Sequence, residues 1–291
     1  MSHVPGHKAA LRLPVPATAR FRHLLAAEWI KLWSLRSTYL VLAGGALAVI
    51  GINVNSAVSN AAHLSEQAAS PSEPPGIPDL PEYAFDALHT AFVDPAWQLL
   101  MIIAATVGAI AVFGEYTSGL IRTTFAAVPD RRAVVAAKAT VVSAVMLALG
   151  TFVSGTSFGV TQAVLREHGG LSLGDPGALR AVTASALIAP LCALVGMAVG
   201  ALIRHAAGSI VAVIALLLLI PTLLQGDRFR WVKEIGNAMP LSAWRWLVTN
   251  PARAHAPGPY PPTTTGAWLV YGGWAVVAVA VAMIVVRRRD V

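Results

Sequence analysis

Six stretches of this chain run for about twenty residues with hardly a polar side chain, and they leave little choice of fold. They cover about 38–58, 96–114, 139–165, 181–203, 206–225 and 266–286. A helix rises about 1.5 Å per residue, so each is long enough for a hydrocarbon core about 30 Å thick. A soluble domain of 291 residues would interrupt its apolar runs every few positions, because one face of each element meets water. Within a bilayer every backbone N–H and C=O must be paired inside the protein, and a single crossing segment manages that only as a helix. The expected fold class is an all-α integral membrane protein with six transmembrane helices. A hydrophobic content of 56% against 12% charged residues agrees with it.

The charges between the runs give an orientation. With the N-terminus cytoplasmic, the inner side holds 14 of the 21 basic residues and four acids, a net +10, and the outer side is left with −3 of the total +7. Basic residues are retained on the cytoplasmic side, so both termini are expected there. Loops 59–95, 166–180 and 226–265 are then external. Loop 226–265 is an exception to the tally, since it carries Arg228, Arg230, Lys233, Arg245 and Arg253. Its Trp231, Trp244 and Trp246, with Trp268 beside them, suggest a segment in the headgroup layer, where indole is favoured. Thirty-seven residues precede the first run, more than the n-region of a signal peptide, so that run is expected to remain as a span. Residues 1–18 read as a mobile cytoplasmic tail and 19–291 as one six-span domain. The proline- and acid-rich loop 59–95 reads as mostly irregular, with a short amphipathic helix over Phe85, Leu88 and Phe92 leading into the second span.

Several function classes are disfavoured. The basic residues flank apolar runs and no nucleic-acid motif accompanies them, so no nucleic-acid partner is expected. No Gly-Lys pair occurs, so the chain has no P-loop for ATP phosphates. None of the six runs carries an Asp, Glu, Lys, Arg or His in its interior, whereas proton-coupled transporters place such groups at depth. "GTSFG" at 155–159 matches the nucleophile-elbow pattern, but Ser157 sits in an apolar helix with no histidine in any span to serve as base. The single cysteine, Cys192, allows no disulfide within the chain, and His168 and His205 are not spaced as a metal pair. The expected chain is not an enzyme and holds no cofactor or metal of its own.

Two polar stretches stand just inside the membrane. In "ARFRHLLAAEWIKLWSLRSTY", residues 19–39, Phe21, Leu24, Leu25, Trp29, Leu32 and Trp33 recur at helical spacing, with Lys31 opposite. This describes either a helix lying in the inner interface or a cytoplasmic extension of the first span. Glu28 falls on the apolar side, a position that calls for a partner. The second stretch, "FGEYTSGLIRTTFAAVPDRRAVVAAK" at 113–138, is too polar to continue the second span. It reads as one short surface helix ended by Pro129, with Asp130 as N-cap of the third span. Arg131, Arg132 and Lys138 then hold the junction on the cytoplasmic side; an ordinary topogenic loop has the same composition.

"EWIKLWSLRSTY" and "GEYTSGLIRTTFAAVPDRRAVVAAK" resemble the permease subunits of ABC-2-type transporters, in the half-size bacterial form common in high-GC Gram-positive genomes. The likeness covers roughly residues 24–40 and 97–140. Phe125, where leucine is usual, and Asp130, where a basic or small residue is usual, depart from the pattern. The resemblance implies an interfacial elbow helix, with Glu28, Trp29 and Lys31 on it, ahead of six spans in an ABC-2 exporter-like fold. It implies that the segment between spans two and three is a coupling helix docking on a separate ATP-binding-cassette ATPase subunit. Glu115, Tyr116, Gly119, Leu120, Arg122, Thr123 and Thr124 would form or support that contact. Glu115 and Glu28 would close an ion cluster with Arg122. ATP and Mg are expected on the partner subunit, and the chain is expected to dimerise with itself or a similar permease in the bacterial plasma membrane.

Gly150, Ser154, Ser157 and Thr161 line one face of the third span, Gly155 and Gly159 form a G-x-x-x-G, and Gly196 and Gly200 repeat that spacing in the fourth. Small residues let helix backbones approach closely in lipid; the first face serves either for packing or as the wall of a translocation path. The expected function is thus the membrane subunit of an ATP-driven exporter of amphipathic or apolar cargo, against an ATP-independent transporter or a membrane scaffold.

Overall fold

A computed structural model describes residues 20–69, 85–120, 123, 124, 128, 130–226, 228–251 and 260–288. The tail 1–18, Arg122, Phe125 and Pro129 lie outside the described residues. Among those described, all regular secondary structure is helical. Helix α1 (Phe21–Ser34) is followed by α2 (Arg36–Ala69), the short α3 (Ala87–Ala91), α4 (Asp94–Thr117), α5 (Arg131–Val164) and α6 (Ala178–Ile203). A fifth apolar rod comprises α7 (Ala206–Ile214), a π-helical turn (Ala215–Leu219) and α8 (Ile220–Leu223). Two short helices, α9 (Arg230–Asn237) and α10 (Pro240–Val248), precede α11 (Thr264–Arg288). Six of these helical segments are long and apolar enough to cross a membrane, which makes the chain a multi-pass membrane protein.

Helix α6 is the axis of the bundle. About 78% of its most apolar stretch is buried, against 22% for the fifth and sixth spans, which therefore lie at the periphery. Small residues make its central place possible. A Cβ on Gly196 or Gly108 would run into the backbone carbonyl of Ala105 or Ala193, and one on Gly200 would stand 2.7 Å from the Ala109 oxygen. Glycine at these positions lets α4 and α6 touch backbone to backbone, which maximises van der Waals contact where lipid supplies no hydrophobic drive. The π turn directly precedes Pro221, which has no N–H to offer the carbonyl four residues back; a widened turn accommodates that loss.

The elements differ from the sequence expectation in three places, and at a fourth the structure excludes one of the two readings left open. Helix α2 runs on to Ala69, so residues 59–69 are helical rather than irregular loop. Leu35, in extended backbone, separates α1 from α2, so α1 is not a simple continuation of the first span. Loop 226–265 contains α9 and α10, and α10 tucks into the bundle with Leu241, Trp244 and Leu247 fully buried. Trp244, expected in the headgroup layer, donates instead to the Ser185 hydroxyl at 3.0 Å, about 10 Å along α6 from its start.

That re-entry also accounts for part of the basic excess in the loop. Arg245 pairs with Asp94 at 2.8 Å and Arg230 with Glu234 at 2.7 Å. From the start of α6, Arg180 donates to the carbonyls of Leu247 and Thr249 at 2.9 and 2.6 Å. It thereby caps the C-terminus of α10, where a cation meets the negative end of the helix dipole. Phe85, Leu88 and Phe92 are buried around α3, whose first turn is capped by Asp86 through Leu88 N at 2.9 Å.

Candidate functional site

The site forms where α1 crosses the ends of α4 and α5. Asp130 caps α5 as its sequence suggests, accepting from Arg132 N at 3.1 Å and Ala133 N at 3.2 Å. Lys138 lies about two turns farther in and is only 5% exposed. Glu115 occupies the last turn of α4, and Glu28 is buried on the inner face of α1. These residues close a ring of alternating charge. The Lys31 ammonium bonds Glu28 and Glu115, each at 2.8 Å, and the Lys138 ammonium bonds Glu28 at 2.5 Å and Glu115 at 2.9 Å.

Two carboxylates and two ammoniums balance, and each ammonium bridges both carboxylates, so no charge in the ring is left uncompensated. Alternation matters because a buried charge is tolerated only when paired and hydrogen-bonded. Lys31 is the most exposed member, its side chain 39% accessible. Burial works against its ammonium, but the bonds to Glu115 and Glu28 outweigh that, and its pKa stands above the ordinary 10.5.

An apolar contact reinforces the ring. Leu24 of α1 packs with Val134 and Ala137 of α5, and Val128, from the connection between α4 and α5, joins them. The Arg204 guanidinium, just after α6, lies 4.2 Å from the centre of the Tyr116 ring, a cation–π contact that ties a further helix end to α4. Arg131 donates to the Val286 carbonyl near the end of α11 at 3.5 Å.

The sequence-derived residues divide. Glu28, Lys31 and Glu115 come together, and Tyr116 sits beside them. Gly119 adopts φ 71°, a left-handed conformation that glycine takes without strain, and it turns the chain away from α4. Beyond it Leu120 is 53% exposed, and the hydroxyls of Thr123 and Thr124 donate back to its carbonyl at 2.9 and 3.0 Å. Trp29 faces outward from α1, half exposed. Arg122, expected to pair with the two glutamates, lies outside the described residues; the partners seen are Lys31 and Lys138. Lys138, expected beside Arg131 and Arg132 as a charge of the junction, is buried in the ring.

Gly150, Ser154, Ser157 and Thr161 form a buried face turned into the bundle. A Cβ on Gly150 would meet the Ala186 carbonyl, Ser154 donates to Val182 O at 2.7 Å, and Ser157 accepts from Asn53 at 3.1 Å. Thr161 is fully buried. Gly155 and Gly159 point the other way, with nothing within 4 Å of where a Cβ would stand.

No protein-family model matches the chain, and no curated protein matches it either.

Proposed function

We propose that the chain is the permease subunit of an ATP-binding-cassette transporter of the ABC-2 kind, exporting an amphipathic or apolar substrate with a separate ATPase subunit. The carrying observation is the charge ring. It joins α1, the end of α4 and the beginning of α5 into one body around the connection 118–130. A soluble subunit docked on the exposed Leu120 and its neighbours would move that body as a unit, and so transmit a displacement to the first three spans. The two quoted sequence stretches that resemble the permeases contribute this ring, Glu28 and Lys31 from one and Glu115 and Lys138 from the other. On this reading the ring side is cytoplasmic, the membrane is the bacterial plasma membrane, and two such chains pair across a translocation path.

The test is purification from the native host in mild detergent, followed by ATPase assay. The expected result is an ATP-hydrolysing subunit that comes with the chain and is lost on Leu120→Asp, with the chain's own thermal unfolding unchanged. A chain that arrives alone and moves substrate on a proton gradient would defeat the proposal.

A further inference from the structure

Helix α1 meets the bundle with one side only. At about 100° per residue, Leu24 and Glu28 turn toward α5 and are buried, while Arg22, Trp29 and Ile30 fall on the far side. All three stay exposed, Trp29 at 50% and Ile30 at 66%. The apolar surface continues past the break at Leu35. Trp29 packs on Trp33 with ring centres 5.6 Å apart, and Trp33 on Tyr39 of α2 at 4.9 Å, which makes an aromatic strip across the bend. Two spans begin beside it, at Arg36 and Arg131, so the outer side of α1 stands at the membrane boundary. Indole and phenol rings are favoured in that layer.

Positive charge brackets the strip. Arg20 and Arg22 stand at the start of α1 and Arg36 at the start of α2, all exposed, with the length of α1, about 20 Å, between them. Among the described residues none of the three forms a salt bridge, and Arg22 has only a 3.4 Å contact with His23. The one acid between residues 20 and 40 is Glu28, which is taken up in the charge ring. On α5, Asp130 is engaged as the N-cap and Arg132 is a further exposed cation. The outer side of α1 therefore carries accessible positive charge and no negative charge.

We infer that this face of α1 binds the anionic headgroups of membrane phospholipids. Arg20, Arg22 and Arg36 meet phosphate oxygens, which suit a guanidinium, while Trp29, Ile30 and Tyr39 lie in the acyl boundary. A zwitterionic headgroup offers the same phosphate together with an ammonium, so the surface favours lipids of net negative charge. Bound lipid holds α1 from the side opposite Glu28, and so presses it onto α5 and stabilises the charge ring. The inference rests on the membrane placement of the helices and does not require an ATPase partner.

Two measurements on the full chain test it. In the first, a chain carrying Cys192→Ala and Ile30→Cys is spin-labelled and placed in nanodiscs of dioleoyl-phosphatidylcholine mixed with dioleoyl-phosphatidylglycerol. The label should be reached by oxygen more readily than by a water-soluble nickel chelate. In the second, native mass spectrometry should show phosphatidylglycerol retained over phosphatidylcholine. That preference should fall about fivefold for each of Arg20→Gln, Arg22→Gln and Arg36→Gln, the scale of one basic residue at an anionic surface. The three corresponding Arg→Lys changes keep the charge, guard against loss of fold, and should retain most of the preference. A label reached mainly by the chelate would show that this face meets water or a soluble partner, and would overturn the proposal. Equal retention of the two lipids, or a preference lost as fully in the lysine variants as in the glutamine ones, would overturn it as well.

Discussion

The two ends of the bundle use the same side-chain chemistry to opposite effect. At the ring, two lysines and two glutamates satisfy one another, with Glu28 and Lys138 buried and Glu115 nearly so. At the opposite end, the Arg245–Asp94 pair is about one-third exposed, and the Arg245 Nε–H has no acceptor among the described residues. A closed, balanced set of buried charges fixes helices to one another, while a part-exposed pair shares its groups with solvent and holds its helices less firmly. The difference lies in burial and partner count, not in residue type.

Removing one partner should break this contrast most sharply at the ring. Lys138→Ala leaves two buried carboxylates to the half-exposed Lys31 and is expected to cost roughly 3–5 kcal/mol, read by thermal unfolding in detergent. Combining Lys138→Met with Glu28→Gln leaves the balanced pair Lys31–Glu115 and should recover most of the loss. If the double variant is no better than the single, charge balance is not what holds the ring.

Arg245→Gln comes next. Its pair is intermediate in exposure, and about 1 kcal/mol is expected, between the limits for surface and buried pairs. A loss as large as that of Lys138→Ala would erase the distinction between a buried and a part-exposed charge pair. Arg230→Ala sharpens the lower limit. Its pair with Glu234 is well exposed on α9, and the same measurement should show no resolvable change, because solvent screens an exposed pair.

The smallest effect near neutral pH concerns Lys31. Its folded pKa lies above 10.5, so its contribution is complete below that value and is lost as pH rises through the folded pKa. The difference in unfolding temperature between wild type and Lys31→Met should therefore stay constant from pH 6 to 9 and shrink only in strong alkali. A difference that changed around pH 7 would mean that another group controls the docking of α1.

How far the sequence could be read is clearest at the glycines. Gly155–Gly159 and Gly196–Gly200 have the same spacing, and each predicts close helix approach. Only the second pair meets a neighbouring backbone, because a spacing defines a face of a helix but not what is opposite it. Lys138 gives the same lesson for charge. Arg132 is exposed at the junction and Arg131 reaches the Val286 carbonyl there, and two turns of helix are enough to carry Lys138 inside.

The sequence by itself determined that the chain is helical and crosses a membrane about six times, because apolar runs of that length have no other low-energy place to go. It also determined the cap at Asp130 and the need of Glu28 for a partner, since both follow from local backbone and side-chain chemistry. The tertiary structure alone decided which cations meet Glu28 and Glu115, that α10 re-enters the bundle, and that Arg245 is left part-satisfied. These outcomes depend on which helix ends are brought together by packing around α6, and contacts between residues as far apart as Glu28 and Lys138 leave no local signature in the chain.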